Sequence, residues 1–263
     1  MWCSVLMLII ALSASVIGGI CGVGGGVLMK PVLDITGIAS VSTASFLSSV
    51  TVLAMTGYST AKNLSAKTND IEKCTVLPLA VGAAAGGVIG KYLFELIKAG
   101  LTDADKVGAV QAAFLALVCI GTMLYTINKK RIKSLNVQSR VLSAVIGMLL
   151  GTMSSFLGIG GGPIDLVVLF YFFSMETKIA VQNSLFIILF SQAFSLIYTI
   201  AAGKVPEFNT HSLVLMILGG FLGGVIGKRT GKRLSGDTTD KLFIGLLAVI
   251  VLICIYNAMN CLR

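Results

Sequence analysis

Two glycine runs, with a few polar residues close behind each, are where this chain's residue types and spacing suggest chemistry. Gly22, Gly24, Gly25 and Gly26 surround Val23, and Gly158, Gly160, Gly161 and Gly162 surround Ile159. Glycine runs make poor helix interior, because the backbone loses much entropy and gains no side-chain packing. Within a bilayer, unwound backbone is tolerated only where protein buries it or where it lines a polar cavity. A helix that starts behind such a break aims free N–H groups and the positive end of its dipole at the gap, which suits an anion. The plain alternative is that the glycines let helices pack closely. Their duplication, each with a short apolar stretch behind it, favours a binding site. Gly86-Gly87 and Gly223-Gly224 have no such neighbour, and packing accounts better for them.

Lys30 and Asp165 follow the two runs, and ionisable groups inside membrane segments are functional candidates by default. One reading pairs them across a pseudo-two-fold axis or lets Lys30 snorkel to the interface. The other gives Lys30 the attraction of an anionic substrate and Asp165 a coupling proton. Beyond the short stretches come Ser45 (with Ser42, Thr43, Ser48 and Ser49) in one copy and Gln182, Asn183 and Ser184 in the other. These either complete a polar cavity or make interhelical hydrogen bonds. Gln192 and Ser195, deeper in the second helix, are weaker candidates.

The elements that must hold these residues are membrane helices. The chain is 56% hydrophobic and 12% charged. Runs such as 4–22, 38–61, 107–127, 179–202 and 242–259 approach or exceed the roughly 18–20 apolar residues that cross a hydrocarbon core. They lack the period-two alternation of barrel strands, so they are helices. Polar connections are too short for an extramembrane catalytic or nucleic-acid-binding domain. The net charge of +9 sits mainly in short loops, where it sets orientation and does not recruit nucleic acid. The start, Met1-Trp2-Cys3, has no basic n-region, and no removable signal peptide is expected. The six cysteines form no CxxC pair and His211 is the single histidine, so neither a metal site nor a disulfide framework is expected.

The chain also repeats itself. Gly86-Gly87-Val88-Ile89-Gly90-Lys91 returns as Gly223-Gly224-Val225-Ile226-Gly227-Lys228. Asp105-Lys106 returns as Asp240-Lys241, and Cys119 falls opposite Cys254. With the glycine runs, all matches keep one order and an offset of 135–137 residues. Residues 1–127 form the first repeat, 128–140 a basic linker and 141–263 the second repeat. Each repeat reads as a long helix (3–21; 141–157), a short stretch (27–38; 163–174) and three longer helices (40–61, 75–97 and 104–127; 178–202, 211–229 and 239–260). Basic residues in 128–140, in 228–241 and at Lys62, Lys67 and Lys73 place those connections in the cytoplasm. Counting the short stretches as crossings then makes the repeats inverted, with both termini outside. If the short stretches re-enter without crossing, the copies are parallel.

The glycine runs, Pro31-Val32-Leu33 behind the first and Gln182-Asn183-Ser184-Leu185 behind the second resemble the sulfite exporter TauE/SafE family, over nearly the whole chain. The resemblance implies a cell-membrane permease for small sulfur-containing anions such as sulfite, thiosulfate or organosulfonates. It also implies that the glycines, Ser45, Asn183 and Ser184 line the pathway. Lys30 and Asp165 depart from the family's pattern. The expected protein is thus an all-α polytopic transporter with about eight long helices and two short ones, working by alternating access. Its expected partners are a small anion, H⁺ or Na⁺ as coupling ion, and the bilayer. Without a P-loop, HExxH, GxSxG or paired intramembrane carboxylates, neither a cofactor nor catalysis is expected. An anion channel of the same architecture and a permease for a non-sulfur carboxylate are the alternatives.

Overall fold

The computed structural model describes residues 2–65, 73–100, 104–129, 131–159 and 161–261. Gly160, Lys67 and Lys130 lie outside them, as do the side chains of Lys73, Asp105, Lys106, Cys3, Cys74 and Cys261. Ten helices account for nearly all of the described residues: α1 (Trp2–Cys21), α2 (Gly26–Thr36), α3 (Val41–Leu64), α4 (Lys73–Gly100), α5 (Ala104–Asn128), α6 (Arg140–Leu157), α7 (Pro163–Phe173), α8 (Thr177–Ala201), α9 (Thr210–Arg233) and α10 (Gly236–Cys261). Eight are long, and α2 and α7 have 11 residues each. The expected segment order is found, with ends shifted by a few residues.

Among the described residues seven helices are long and apolar enough to cross a membrane. The eighth long helix, α3, has the length at 24 residues but not the composition. Sequence reading counted 38–61 among the apolar runs. In the fold, Ser45, Ser48, Thr51, Thr56, Ser59 and Thr60 of α3 are buried among other helices, which is where a bilayer-embedded helix can carry hydroxyls. Large apolar side chains such as Val141, Leu117 and Leu252 instead point outward. Such a surface needs lipid to cover it. The molecule is a multi-pass membrane protein.

One end of the bundle gathers the basic connections. Ser174, after α7, donates to Ser134 at 2.7 Å, and Lys129 pairs with Asp240 at 2.5 Å. Lys228, late in α9, donates to Asn63 near the end of α3. The segment 131–139 docks on the end of α7 through Leu135 N–H to Tyr171 O and Val137 N–H to Phe172 O. At the opposite end, Thr43 donates to the carbonyl of Glu207, Phe46 stacks on Phe208, and Lys98 donates to Ser42.

The main packing partners are α1 with α9, α4 with α6, and α5 with α10, while α3 and α8 meet each other at the centre. The Gly86 and Gly223 sextets serve the first two contacts. A Cβ on Gly86 or Gly90 would strike the carbonyls of Met148 or Thr152 in α6, and one on Gly223 or Gly227 those of Leu12 or Val16 in α1. Close packing is therefore their role.

Candidate transport site

Helix α1 stops where Gly22 takes φ +77°, a left-handed conformation that glycine adopts without a steric cost. The N–H groups of Gly22 and Val23 both bond back to Gly18 O, closing the last turn. A Cβ on Gly22 would stand 2.7 Å from the Cα of Val181, so α8 rests on this bare backbone. One turn further along α8, the Ser184 hydroxyl donates to the freed carbonyl of Gly22 at 2.7 Å. Gly24 is pressed between Ile188 and Val52, and Gly25 lies on Ala14 and Ser15 of the incoming helix. Gly26 opens α2, whose N-cap Gly25 offers no side-chain acceptor.

The second break is built alike. Gly158 ends α6 at φ +66°, with its N–H bonded to Ser155 O. A Cβ there would stand 2.6 Å from Ser45 Oγ and 3.4 Å from Lys30 Cε. Gly161 backs onto Ile188 and Asp165, and Gly162 opens α7. Ser45 thus covers one break from α3 and Ser184 the other from α8.

Each break is the tip of a hairpin. The α1–α2 hairpin begins and ends at the end opposite the basic one, which holds Ser4, Ser212 and Thr43, since Ser4 meets Ser212 at the start of α9 and α2 leads directly to α3. The α6–α7 hairpin begins and ends at the basic end, with Ser174 on Ser134. The tips meet. A Cβ on Gly26 would overlap Ile159 O, and one on Gly162 would strike Val27. Val52 and Ile188, which touch the tips, fall near the midpoints of α3 and α8, so the meeting point lies at mid-depth.

Lys30 and Asp165 do not pair. The Lys30 ammonium donates to Gln111 Oε1 at 2.8 Å and lies 3.4 Å from Asp34 Oδ2, one turn along its own helix. Gln111 in turn donates to Phe156 O at 2.6 Å, tying α2 through α5 to α6 just before the second break. With Lys30 only 4% exposed, snorkelling to the interface is ruled out as well. Asp165 is 1% exposed and accepts from the Gly162 N–H through Oδ2, while Oδ1 has no hydrogen-bond partner. The expectation that both short helices present an open N-terminus is therefore corrected. Asp165 already occupies that of α7, and only α2 lacks a side-chain cap.

The three residues opening α8 separate. Ser184 faces the first break, Asn183 donates to Met175 Sδ at 3.4 Å, and Gln182 lines a cavity of about 240 Å³ toward the basic end. Gln192 and Ser195 are buried deeper in α8. Sequence reading missed Asp34 and Gln111. The Lys30/Asp34 spacing of four residues was a usable signal, whereas nothing local points to Gln111. Among the described residues no cluster of His, Cys, Asp or Glu could hold a metal ion.

A family model for the sulfite exporter TauE/SafE matches residues 7–253. The probable membrane transporter protein YunE of Bacillus subtilis is 24% identical over 96% of this chain and 97% of its own length. The probable membrane transporter proteins MamO of Magnetospirillum gryphiswaldense and Paramagnetospirillum magneticum are 26% and 24% identical over 92% and 94% of this chain. The alignments span 43% of each MamO protein. No solved structure matches the chain.

Proposed function

Given that the chain belongs to the sulfite exporter TauE/SafE family, we propose that it is a secondary permease for small anions, with sulfite, thiosulfate and organosulfonates first among them. The observation that carries this reading is the contact of two glycine hairpin tips at mid-depth, Gly26 on Ile159 and Gly162 on Val27. Broken helices meeting near a bilayer midplane are where secondary transporters bind solute and coupling ion.

Alternating access follows from treating the two repeats as inverted copies. In support, the principal contacts between the repeats come in matching pairs: α1 with α9 and α6 with α4, α3 with α9 and α8 with α4, α2 with α10 and α7 with α5. The matched lysines of the two identical sextets differ in surroundings. Lys228 borders the cavity at the basic end, while Lys91 is 9% exposed with its ammonium over the Phe94 ring. A molecule open toward the basic end and closed toward the other would have this asymmetry. The basic end then faces the cytoplasm of the cell in which the protein spans the cell membrane.

In this scheme the uncapped start of α2 is the anion's station, where backbone N–H groups and the helix dipole meet negative charge. Ser45 and Ser48, both buried with unpartnered hydroxyls, supply donors nearby on α3. Asp165 carries the coupling proton on its unpartnered oxygen. The tightly closed tips favour a carrier over an open channel.

Reconstitution into liposomes tests the reading, with uptake of sulfite, thiosulfate, an organosulfonate and a simple carboxylate measured under imposed H⁺ and Na⁺ gradients. Saturable, ion-coupled accumulation marks a permease. Flux that follows only the anion's electrochemical gradient marks a channel, and indifference to every anion ends the anion reading.

A further inference from the structure

The cavity of about 240 Å³ at the basic end is walled by the adjoining ends of α1, α3, α8, α9 and α10. Among the described residues its charged lining is Lys178, Lys228 and Lys232, with no Asp or Glu. Lys228 is half-buried, and its ammonium donates to Ser59 O at 2.7 Å and to Asn63 Oδ1 at 2.5 Å. Both acceptors are neutral, so they fix the ammonium in place and leave its charge uncompensated. Among the described residues none of the three lysines pairs with a carboxylate. Lys228 and Lys232 stand one helical turn apart, a like-charge spacing that costs stability unless something repays it. Ser59 is 1% exposed, lines the same cavity, and keeps its hydroxyl without a partner. Lysine ammoniums and a free hydroxyl donor are the chemistry that receives an oxoanion. At its inner end the cavity reaches Val181, the residue on which Gly22 rests.

We propose that this cavity is an oxoanion subsite anchored by Lys228, with Lys178 and Lys232 at its mouth, where a small sulfite- or sulfonate-like anion docks on the way to or from the first glycine break. The proposal rests on the permease reading and extends it to residues outside the glycine breaks. It also gives the lysines a role beyond orienting loops. A lipid phosphate offers the same oxoanion chemistry, and the experiment separates the two sources.

Thr239, 4% exposed and in the cavity wall, is replaced by cysteine as a near-isosteric reporter. Purified Thr239→Cys, in detergent without added lipid, is labelled with an anionic sulfonate methanethiosulfonate or its cationic trimethylammonium counterpart, the parent chain serving as background. The site requires the anionic reagent to react about tenfold faster than the cationic one, each relative to a free thiol, since focused positive potential concentrates anions. Lys228→Gln should remove most of that preference, and ethanesulfonate should slow labelling. Equal relative rates, no labelling by either reagent, or no protection by ethanesulfonate would overturn the proposal. Protection by phosphatidylglycerol alone would assign the cavity to lipid and overturn it equally. None of these readouts needs transport, so a protein that moves no anion in liposomes sinks the permease reading separately. Where flux is present, Lys228→Gln should raise the KM for sulfite about tenfold, the scale of one lost charge-assisted hydrogen bond, with kcat less affected.

Discussion

The hydroxyl of Ser184 donates to the carbonyl oxygen of Gly22 across 2.7 Å, joining residues 162 positions apart in the sequence. That carbonyl is freed because α1 ends there, and buried where water cannot serve it, so α8 supplies the missing donor. Ser184→Ala should cost about 1–2 kcal/mol, the desolvation penalty of an orphaned carbonyl. Thermal unfolding in detergent reads the loss. Uptake in liposomes should fall more than stability does if this carbonyl lies on the anion's path.

Gly158 and Ser45 form the matching contact at the second break. Gly158→Ala must hold a Cβ at φ +66° and 2.6 Å from Ser45 Oγ. The left-handed backbone alone costs about 1–2 kcal/mol for an alanine, and the collision adds to it. Ser45→Gly removes the collision but leaves the backbone cost. The double variant should therefore recover part of the stability lost by Gly158→Ala, a coupling that a double-mutant cycle measures. Strict additivity would mean that the two residues do not touch.

How far the sequence reveals this arrangement depends on whether each signal is local. The glycine runs are local, because only a residue without Cβ fits where Gly26 meets Ile159 and Gly162 meets Val27, so the breaks can be read at once. The ten-segment order follows from hydrophobic runs and the repeat. The sequence reads 38–61 as an apolar run, yet α3 is too rich in hydroxyls to count as one, and those hydroxyls are covered by α8 and α9. Asp165 aligns with Met29, next to Lys30, and a pseudo-two-fold axis through the repeat suggests a pair. Each instead bonds within its own neighbourhood, Lys30 at four-residue spacing to Asp34 and Asp165 to the start of its own helix. The cavity of Lys178 and Lys228 is not local at all. Lys178 opens α8 and Lys228 closes the next helix, α9, but the walls that complete the cavity come from α1, α3 and α10, and only the fold assembles them.

Those separate neighbourhoods lead to a second pair of expectations. Lys30→Met strands Asp34 and removes the donor to Gln111, and should cost about 2 kcal/mol. That is less than the 3–5 kcal/mol typical of a fully buried broken pair, because the Asp34 side chain keeps 20% of its surface exposed. Adding Asp34→Leu should restore part of the stability. By contrast, the exchange Lys30→Asp with Asp165→Lys should rescue nothing, since neither residue contacts the other's partners. Recovered folding or uptake in the exchanged protein would revive the direct pair.

Asp165 carries the sharpest expectation about energy coupling. Its Oδ2 accepts from the Gly162 N–H, and its Oδ1 is buried without a partner. A carboxyl group held this way is structurally anchored through one oxygen while the other remains free to take a proton. Asp165→Asn preserves an acceptor for Gly162 but cannot exchange a proton, whereas Asp165→Ala removes the cap as well and should cost about 1 kcal/mol more. If Asp165 couples transport to protons, liposomes with Asp165→Asn should exchange anion across the membrane at equal pH yet no longer accumulate it under an imposed pH gradient. Wild-type protein should accumulate it and lose that ability when a protonophore collapses the gradient. Gradient-driven accumulation that survives in Asp165→Asn would reduce Asp165 to a helix cap.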